Sequence, residues 1–267
     1  MTGADGSAAV EMVALSDRGR VRERNEDAVF VDAGRGLAVL ADGLGGHRAG
    51  AVASNMAVAV LGSELPQSFV LSLRGPTPGD IAASARETMM GAVIRTNAVI
   101  HHAAGENPKY AGMGTTLVAA QFYADRLLVA HVGDSRLYRW RAGVLAQLTR
   151  DHTRLQCQID KGMLEVGQGR PATNRNLLTR ALGVDAIVRP EIGDHAVQAG
   201  DIYLLCSDGL TGMADDEQIA AVMNRHGGDM RQSAAQLVEK ANELGGKDNV
   251  SVILAKITAP QWQTMTS

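Results

Sequence analysis

Carboxylates recur where the short apolar segments of this chain end or begin. The stretches VLADGLGG, AHVGDSR and LLCSDGL each run from apolar or small residues into an aspartate that Gly or Ser follows. In GGKDNVSV an aspartate stands at the start of such a segment, and in RERNEDAVF a Glu-Asp pair does. The carboxylates concerned are Glu26, Asp27, Asp42, Asp134, Asp208 and Asp248. One Asp-Gly pair is an ordinary turn, but strand ends of packed sheets converge, so the repeated pattern predicts that these side chains meet.

Converging carboxylates require a positive charge among them, because each raises the pKa of its neighbours. The sequence offers no matching lysines beside the motifs, which favours a divalent metal ion. Hard oxygen ligands without a Cys or His pair at ligand spacing are typical of Mg²⁺, Mn²⁺ or Ca²⁺ sites, and no stretch matches an EF-hand. There are more carboxylates than one ion needs. This indicates two ions, an arrangement that activates a water for in-line attack on phosphate.

A group of arginines precedes the Glu-Asp pair, at Arg18, Arg20, Arg22 and Arg24. Alternation along an extended segment places all four on one face. An arginine grips two phosphate oxygens in a fixed fork, so this segment is the predicted phosphate-binding element. A solvated basic edge is the alternative interpretation of any one of them.

Short strand-like segments fall into three clusters, with helical segments between them. The predicted strands are 10–15, 28–33 and 37–41, then 115–122, 127–132, 136–140 and 144–148, then 187–192, 202–206 and 250–257. The predicted helices are 49–65, 79–105, 215–225 and 229–246, and the first is apolar on nearly every side, so it is expected to be well buried. Hairpin-connected strands interrupted by helix pairs predict an α+β domain in which helices cover antiparallel sheets.

The composition argues against several classes of function. A net charge of −3 gives no reason for attraction to nucleic acid or to a membrane surface. Cys157 and Cys206 fit neither a zinc motif nor a disulfide framework, and Cys206 is predicted to be a buried thiol. No apolar run reaches the ~20 residues of a membrane span, and the first residues lack the features of a signal peptide. We therefore expect a soluble cytoplasmic protein without membrane insertion or a nucleic-acid partner.

Eight motifs in one order identify a family that the chain resembles. They are RERNEDAVF, VLADGLGGH, GMGTTLV, VGDSRLYR, LTRDHT, NLLTRALG, LCSDGL and KDNVSV. In this order they resemble the metal-dependent serine/threonine protein phosphatases of type 2C (PPM), in their compact bacterial form, from about residue 12 to 257. The resemblance implies a four-layer α/β/β/α sandwich with two central antiparallel sheets and helix pairs outside. It also implies a centre of two Mn²⁺ or Mg²⁺ ions, with a third, weaker divalent ion in many bacterial relatives.

The resemblance also implies roles for individual residues. The implied metal ligands are Glu26, Asp27, Asp42, the backbone carbonyl of Gly43, Asp134, Asp208 and Asp248. Asp42 would bridge the two ions, with Asp208 and Asp248 completing one of them, and Asp134 would hold the third ion together with Asp208. Arg22 matches the arginine that grips the phosphate, and Asn249 would support Asp248. The implied catalytic set is therefore Arg22, Asp42, Asp208 and Asp248.

Two departures from the family pattern bear on the chemistry. Some members carry a histidine directly after the Asp-Gly pair, proposed as the acid for the leaving alkoxide, and here that position is Leu44. The proton must then come from a metal-bound water or another side chain, for which His47 is the candidate, with a structural histidine at the helix start as the alternative. His152 in the DHT motif is interpreted as structural.

The other departure is the flap, the variable segment at about 153–177. Its opening is expected to be helical, and its Gly-rich part at 162–173 is expected to be mobile. Arg170 and Arg175 are candidate substrate-binding residues, and Lys161 is another basic residue that could touch a phosphopeptide. A plain solvated loop is the alternative.

Taken together, the motifs predict an enzyme that hydrolyses phosphoserine and phosphothreonine in proteins by in-line attack of a metal-bridging water. Its expected partners are phosphorylated proteins and a cognate Ser/Thr kinase system, and a monomer is expected. The predicted layout is a flexible N-terminus at 1–9, one catalytic domain at 10–258 and a short tail at 259–267. Two alternatives stay open: an inactive or specialised relative that binds a phosphorylated regulatory partner, and a phosphatase for small phosphoesters.

Overall fold

Eleven β-strands and six α-helices make up the part of the chain that the computed structural model describes, residues 9–45, 49–73, 75, 77–164 and 177–259. The strands are β1 (Ala9–Asp17), β2 (Asp27–Asp32), β3 (Leu37–Leu44), β4 (Gly114–Thr115), β5 (Leu117–Tyr123), β6 (Arg126–Val132), β7 (Arg136–Arg141), β8 (Val144–Gln147), β9 (Glu191–Ala196), β10 (Ile202–Cys206) and β11 (Val250–Ala259). The helices are α1 (Ala49–Ser72), α2 (Pro78–Glu106), α3 (Arg154–Asp160), α4 (Asp208–Thr211), α5 (Asp216–His226) and α6 (Met230–Glu243), and a 3₁₀-helix covers Pro108–Tyr110.

The strands form two antiparallel sheets. The first sheet has the order β1-β11-β10-β7-β8, and the second has the order β2-β3-β5-β6-β9 with β4 paired to β3. Strands β2 and β3 pair Asp27 with Asp42, while β1 and β11 pair Asp17 with Val250. These registers place the motif carboxylates near the strand ends on one rim of the fold.

Apolar side chains alternate between the two faces of the central strands. In β3, Ala38 and Leu40 pack between the sheets, whereas Leu37, Val39 and Ala41 pack toward α1 and α2. Strands β10 and β11 divide their side chains in the same way between the inter-sheet core and the core under α5 and α6. Since successive side chains of a strand point to opposite faces, one apolar run serves two cores. The predicted α/β/β/α sandwich is confirmed.

Helix α1 covers the second sheet with one stripe of small and apolar residues. Ala53, Ala57 and Leu61 recur at a spacing of four residues and are fully buried against the sheet. The prediction that this helix is well buried is correct only for that stripe, because Asn55 and Ala59 on the other side are exposed. Helix α1 therefore carries more apolar residues than the core buries.

One predicted strand is misplaced. Strand β9 pairs with β6 from Glu191 onward, so the prediction of a strand at 187–192 is wrong over most of its length. Pro190 immediately precedes the pairing and has no N–H to donate to a ladder. The predicted strand at 115–122 is divided into β4 and β5, because Thr115 exchanges its backbone hydrogen bonds with Leu182.

The outer strand pair of the first sheet and the first helix of the flap lie at or near their predicted positions. Strands β1 and β11 pair at Ala9 and Ala259, each one residue outside the predicted boundaries of 10 and 258. Helix α3 opens the flap as predicted, capped by the Thr153 side chain, which accepts a hydrogen bond from the Gln156 N–H. Cys206 is fully buried, as predicted.

Candidate metal centre

The first two carboxylates of the centre face each other across neighbouring strands. Asp27 of β2 and Asp42 of β3 are direct partners in the antiparallel ladder, so their side chains share one face of the sheet. Asp27 also reaches the other sheet, where the Ser207 hydroxyl donates to its Oδ2 at 2.8 Å. Its Oδ1 is buried and has no hydrogen-bond partner among the described residues. Two like charges therefore lie side by side where the two sheets meet.

The other carboxylates arrive from three separate loops. Asp208 is the first residue of α4, just after β10, and its charge contributes to raising the pKa of Asp42. Asp248 precedes β11, and Asp134 follows β6. Together with Glu26, Asp42 and Gly43, these residues line a single open cavity of about 1310 Å³. The predicted ligands therefore come together, with Asp27 buried behind the cavity wall.

Asn249 fastens the arginine segment to this rim. Its side-chain Nδ2 donates to the carbonyls of Arg18 and Arg24, at 2.9 and 2.8 Å, and its Oδ1 accepts from the Glu26 N–H at 2.8 Å. Asp248 is contacted by the backbone N–H of Asn249. The predicted support of Asp248 is therefore made by the backbone, and the side chain holds the Glu26 segment instead.

Arg22 points from this segment into the cavity. Its Nη2 donates to Asp248 Oδ2 at 2.7 Å, and this hydrogen bond, aided by the charges of Asp248, Asp208 and Asp42, raises the pKa of the guanidinium. Because a guanidinium carries five N–H donors, the contact with Asp248 leaves donors free for a phosphate. Arg22 is thus placed where the sequence predicted the phosphate grip.

A pair of glycines creates the space in which Glu26 and the Gly43 carbonyl come together. A Cβ added to Gly50, at the start of α1, would lie 2.5 Å from Glu26 Oε2 and 2.9 Å from the carbonyl oxygen of Gly43. A Cβ added to Gly43 would in turn collide with the carbonyl of Gly50. Only glycines allow α1 to begin this close to β3, and the approach places two oxygen ligands beside each other.

Burial and mutual repulsion raise the pKa of the clustered carboxyls. The pKa of Asp42 is raised well above its usual value, first by burial and then by the charges of Asp27, Asp208, Asp248 and Asp134. Burial likewise raises the pKa of Asp27 to about 6 and that of Asp134 to about 7, and it raises that of Asp208. The described cavity lining carries six carboxylates against three cationic side chains. Such a donor set fits hard divalent ions, which remove the repulsion.

The cavity has further lining residues that the sequence did not single out. Lys109 and Tyr110, from the 3₁₀-helix, and Leu178, just after the flap, all face it. Nothing in the stretch NPKYAG marks a site, because its residues reach the cavity only through the way the loop after α2 folds back. Leu44 also lines the cavity, so this wall presents an apolar side chain where some family members have a histidine. His47, Arg170 and Arg175 lie outside the described residues.

His152 is structural, as predicted. The ring Nδ1 of His152 accepts a hydrogen bond from the Gly133 N–H at 3.1 Å, and the backbone N–H of His152 donates to the Gly133 carbonyl at 2.9 Å. These two bonds hold the loop immediately before Asp134. Burial lowers the pKa of His152 to about 4, so the ring is neutral and carries its proton on Nε2.

His131, His152 and Glu191 form a further cluster whose donor atoms lie within 4.8 Å of one another. The two imidazoles are stacked, 4.7 Å apart and only 20° from parallel, so their ring planes do not converge on one point. His131 Nε2 donates to the Arg150 carbonyl at 2.8 Å, and the Arg180 Nη1 lies 3.5 Å from Glu191. We interpret this cluster as a hydrogen-bonded support under the Asp134 loop.

A four-layer sandwich with a carboxylate-lined cavity at one rim defines a class of metal-binding α+β proteins. Within it, the chain belongs to the Protein phosphatase 2C family, whose family model matches residues 18–251. The predicted membership of the family is therefore confirmed.

The chain is similar to named phosphatases over most of its length. It is 40% identical over 245 residues to the serine/threonine protein phosphatase PstP of Mycobacterium tuberculosis, covering 91% of this chain and 44% of that protein. It is 36% identical to the serine/threonine phosphatase stp of Listeria monocytogenes, covering 90% of this chain and 93% of that protein. The chain thus spans less than half the length of the mycobacterial relative.

A solved structure supports the same likeness. The catalytic domain of PstP, in complex with two manganese ions, matches with a TM-score of 0.78 and 38% identity, covering 94% of this chain and 99% of that one.

None of the described helices is long and apolar enough to cross a membrane.

Proposed function

We propose that this chain is a metal-dependent protein phosphatase that hydrolyses phosphoserine and phosphothreonine in proteins. The observation that carries the proposal is one cavity that collects carboxylates from both sheets together with Arg22. Membership of the family and similarity to serine/threonine phosphatases of Mycobacterium tuberculosis and Listeria monocytogenes support it. The PstP catalytic domain with two manganese ions supports a centre of two Mn²⁺ or Mg²⁺ ions here.

The residues around the cavity divide the work of holding the ions. Asp42 is the residue proposed to serve both ions, because it lines the cavity and the charges of Asp27, Asp208 and Asp248 all act on it. Glu26 and the Gly43 carbonyl would hold one ion, and Asp208 with Asp248 would hold the other. Asp134 and Asp208 are the proposed ligands of a third, weaker ion. When bound, the ions supply Lewis acidity toward phosphate oxygens and an activated water.

The chain itself positions the phosphate and the attacking side. Arg22 binds phosphate oxygens with the N–H groups that Asp248 leaves free, and its raised pKa keeps it cationic. Ser207 donates to Asp27, the ladder partner of Asp42, and so ties this strand end to the other sheet. Leu44 donates no proton, so the leaving alkoxide takes its proton from water or another side chain, and His47 remains the candidate that the sequence offers.

The test is phosphate release from a phosphothreonine peptide with Mn²⁺ present. The wild-type protein is expected to be active, and Asp208→Asn is expected to lose at least 100-fold in kcat/KM, in the range for lost electrostatic stabilisation. Asp185→Asn, an exposed aspartate away from the cavity, is the matched control and should retain full activity. Full activity in Asp208→Asn would overturn the proposed mechanism.

We also propose that residues 10–258 form one catalytic domain, that it acts as a monomer, and that a Ser/Thr kinase supplies its phosphoprotein substrates.

A phosphoprotein-binding relative without activity is not favoured, because such a protein has no need for this set of clustered, mutually repelling carboxylates.

A further inference from the structure

A second open groove runs beside the metal cavity. It has a volume of about 710 Å³ and lies between the first turns of α1 and the segment before β2. Its lining residues are Arg24, Asn25, Ala51, Val52, Asn55, Met56 and Ala59. We call it the α1 groove.

The α1 groove is continuous with the metal cavity. Arg24 and Val52 line both. A polypeptide whose phosphorylated side chain enters the cavity and whose backbone crosses this shared wall passes over the groove. Since an extended chain advances about 3.3 Å per residue, a residue within two positions of the phosphorylated one reaches it.

The floor of the groove is apolar, and the side-chain amides of its two asparagines are already paired. The Asn55 amide donates to the Ala51 carbonyl at 2.6 Å, and the Asn25 amide donates to Ser16 at 2.7 Å. Val52 and Met56 are only partly covered by the core, and Ala59 is exposed. Part of the apolar surface of Val52 and Met56 is therefore left outside the core and faces the groove. A methionine adapts to side chains of different shape, so the floor suits an apolar side chain of varied form.

Arg24 adds a charge to the rim. Its backbone carbonyl is fixed by Asn249, while its exposed side chain makes no hydrogen bond or ion pair with the described residues. Because the Arg24 backbone is held in place and its guanidinium is accessible, an acidic group on a bound polypeptide could form an ion pair with it.

We propose that the α1 groove is a specificity subsite for phosphoprotein substrates. It takes an apolar side chain within two residues of the phosphorylated one, and Arg24 pairs with an acidic residue beside that side chain. The inference rests on the proposed phosphatase function and names the sequence context that this function selects.

The test compares phosphothreonine peptides that carry Leu, Ala or Lys two residues before or after the phosphothreonine. The protein variants are Ala59→Arg, which fills the groove, and Ser63→Arg, which places the same side chain one turn further along α1, outside the groove. Turnover of p-nitrophenyl phosphate reports the metal centre alone. Binding of matching non-hydrolysable phosphonate peptides, followed by fluorescence anisotropy, reports the groove without turnover.

The wild-type protein should prefer Leu over Lys on one side by about tenfold or more in kcat/KM, the effect of burying one leucine side chain. Ala59→Arg should abolish that preference and leave p-nitrophenyl phosphate turnover unchanged, and Ser63→Arg should behave as wild type. Equal rates for all peptides, or a preference that survives in Ala59→Arg, would overturn the subsite while the phosphatase stands. If nothing is hydrolysed, the phosphatase proposal fails, and phosphonate binding alone decides the subsite by the same comparison.

Discussion

At the scale of single residues, Asp27 and Asp42 belong to the candidate site, and their pairing opposes the stability of the fold. Directly opposed like charges destabilise a strand pair. Asp27 is buried, and Asp42 is half-buried in the cavity wall. In a folded chain without metal, burial first and the neighbouring carboxylates second raise the pKa of both groups, so both hold their protons more readily. Metal and protons therefore compete at Asp42, and a bound ion also favours loss of the proton from the neighbouring Asp27.

This competition predicts that Mn²⁺ binding releases protons near neutral pH. Asp27 and Asp134, with pKa values raised to about 6 and about 7, hold protons over part of the range from pH 5 to 8, so the apparent affinity should rise with pH across that range. Calorimetry in buffers of different ionisation enthalpy measures the released protons. Asp134→Asn should release fewer, and proton-free binding at pH 6 would refute the interpretation.

Asp201 tests the electrostatics of the fold away from the centre. Burial alone would raise its pKa, but hydrogen bonds from Arg141, the Gln198 N–H and Tyr203 outweigh burial and lower it. A carboxyl with a lowered folded-state pKa stabilises the fold above its unfolded pKa of ~3.9, and that contribution is lost as the pH falls through the folded value. Arg141 donates two hydrogen bonds of 2.6 Å each to the buried Asp201 carboxylate, and it is therefore the strongest partner of that group.

Asp201→Asn should therefore lower the free energy of unfolding by about 2 kcal/mol at pH 7, the range for lost hydrogen bonds to a charged group, because Asp201 is buried but Arg141 is partly exposed. The difference from wild type should narrow below pH ~4, where the wild-type carboxyl also begins to lose its charge. Urea unfolding at several pH values measures this. A difference that stays constant from pH 7 to 3 would show that the lost packing, and not the charge, dominates.

At the scale of elements, the close start of α1 against β3 has a direct test. Gly50→Ala forces a Cβ against Glu26 and the Gly43 carbonyl. It should cost about 1–3 kcal/mol of stability, as overpacking does, and should weaken Mn²⁺ binding. Gly105→Ala is the matched control, because its Cβ would meet nothing within 4 Å and alanine favours the helix. Thermal unfolding with and without Mn²⁺ compares the two, and equal behaviour would show that the approach of α1 does not set the site.

The sequence predicted most elements, because the central strands are short apolar runs bounded by turn residues such as Gly and Asp. It misplaced β9, since the apolar residues at 187 and 188 look strand-like, whereas the partner strand accepts pairing only after Pro190. Six of the seven predicted metal ligands line the cavity, because all stand at strand or helix ends. Lys109 and Tyr110 escaped prediction since a loop carries them there, and no local pattern records where a loop folds back.

At the scale of the whole molecule, the centre joins the two sheets. Asp42 comes from the second sheet, whereas Asp208 and Asp248 adjoin strands of the first. An ion bound by both sheets binds the folded chain and not the unfolded one, so it stabilises the entire sandwich. Saturating Mn²⁺, at 100 times Kd, should add about 2.7 kcal/mol per site.

The melting temperature of the protein should accordingly rise on adding Mn²⁺ and fall back with EDTA, by several degrees in each direction. Asp42→Asn should remove most of the rise, whereas Asp185→Asn should keep it. Differential scanning calorimetry follows all three proteins, and an increase of equal size in Asp42→Asn would place the bound ions elsewhere.

The most direct test of the central claim is the rate of phosphate release from a phosphothreonine protein substrate by EDTA-stripped protein as Mn²⁺ is added back. We predict no measurable rate without metal, a rise to a plateau as the ions bind, and a flat response in Asp42→Asn. A rate that is already maximal in EDTA, or that Asp42→Asn retains, would contradict the assignment of this cavity as a metal-dependent phosphatase centre.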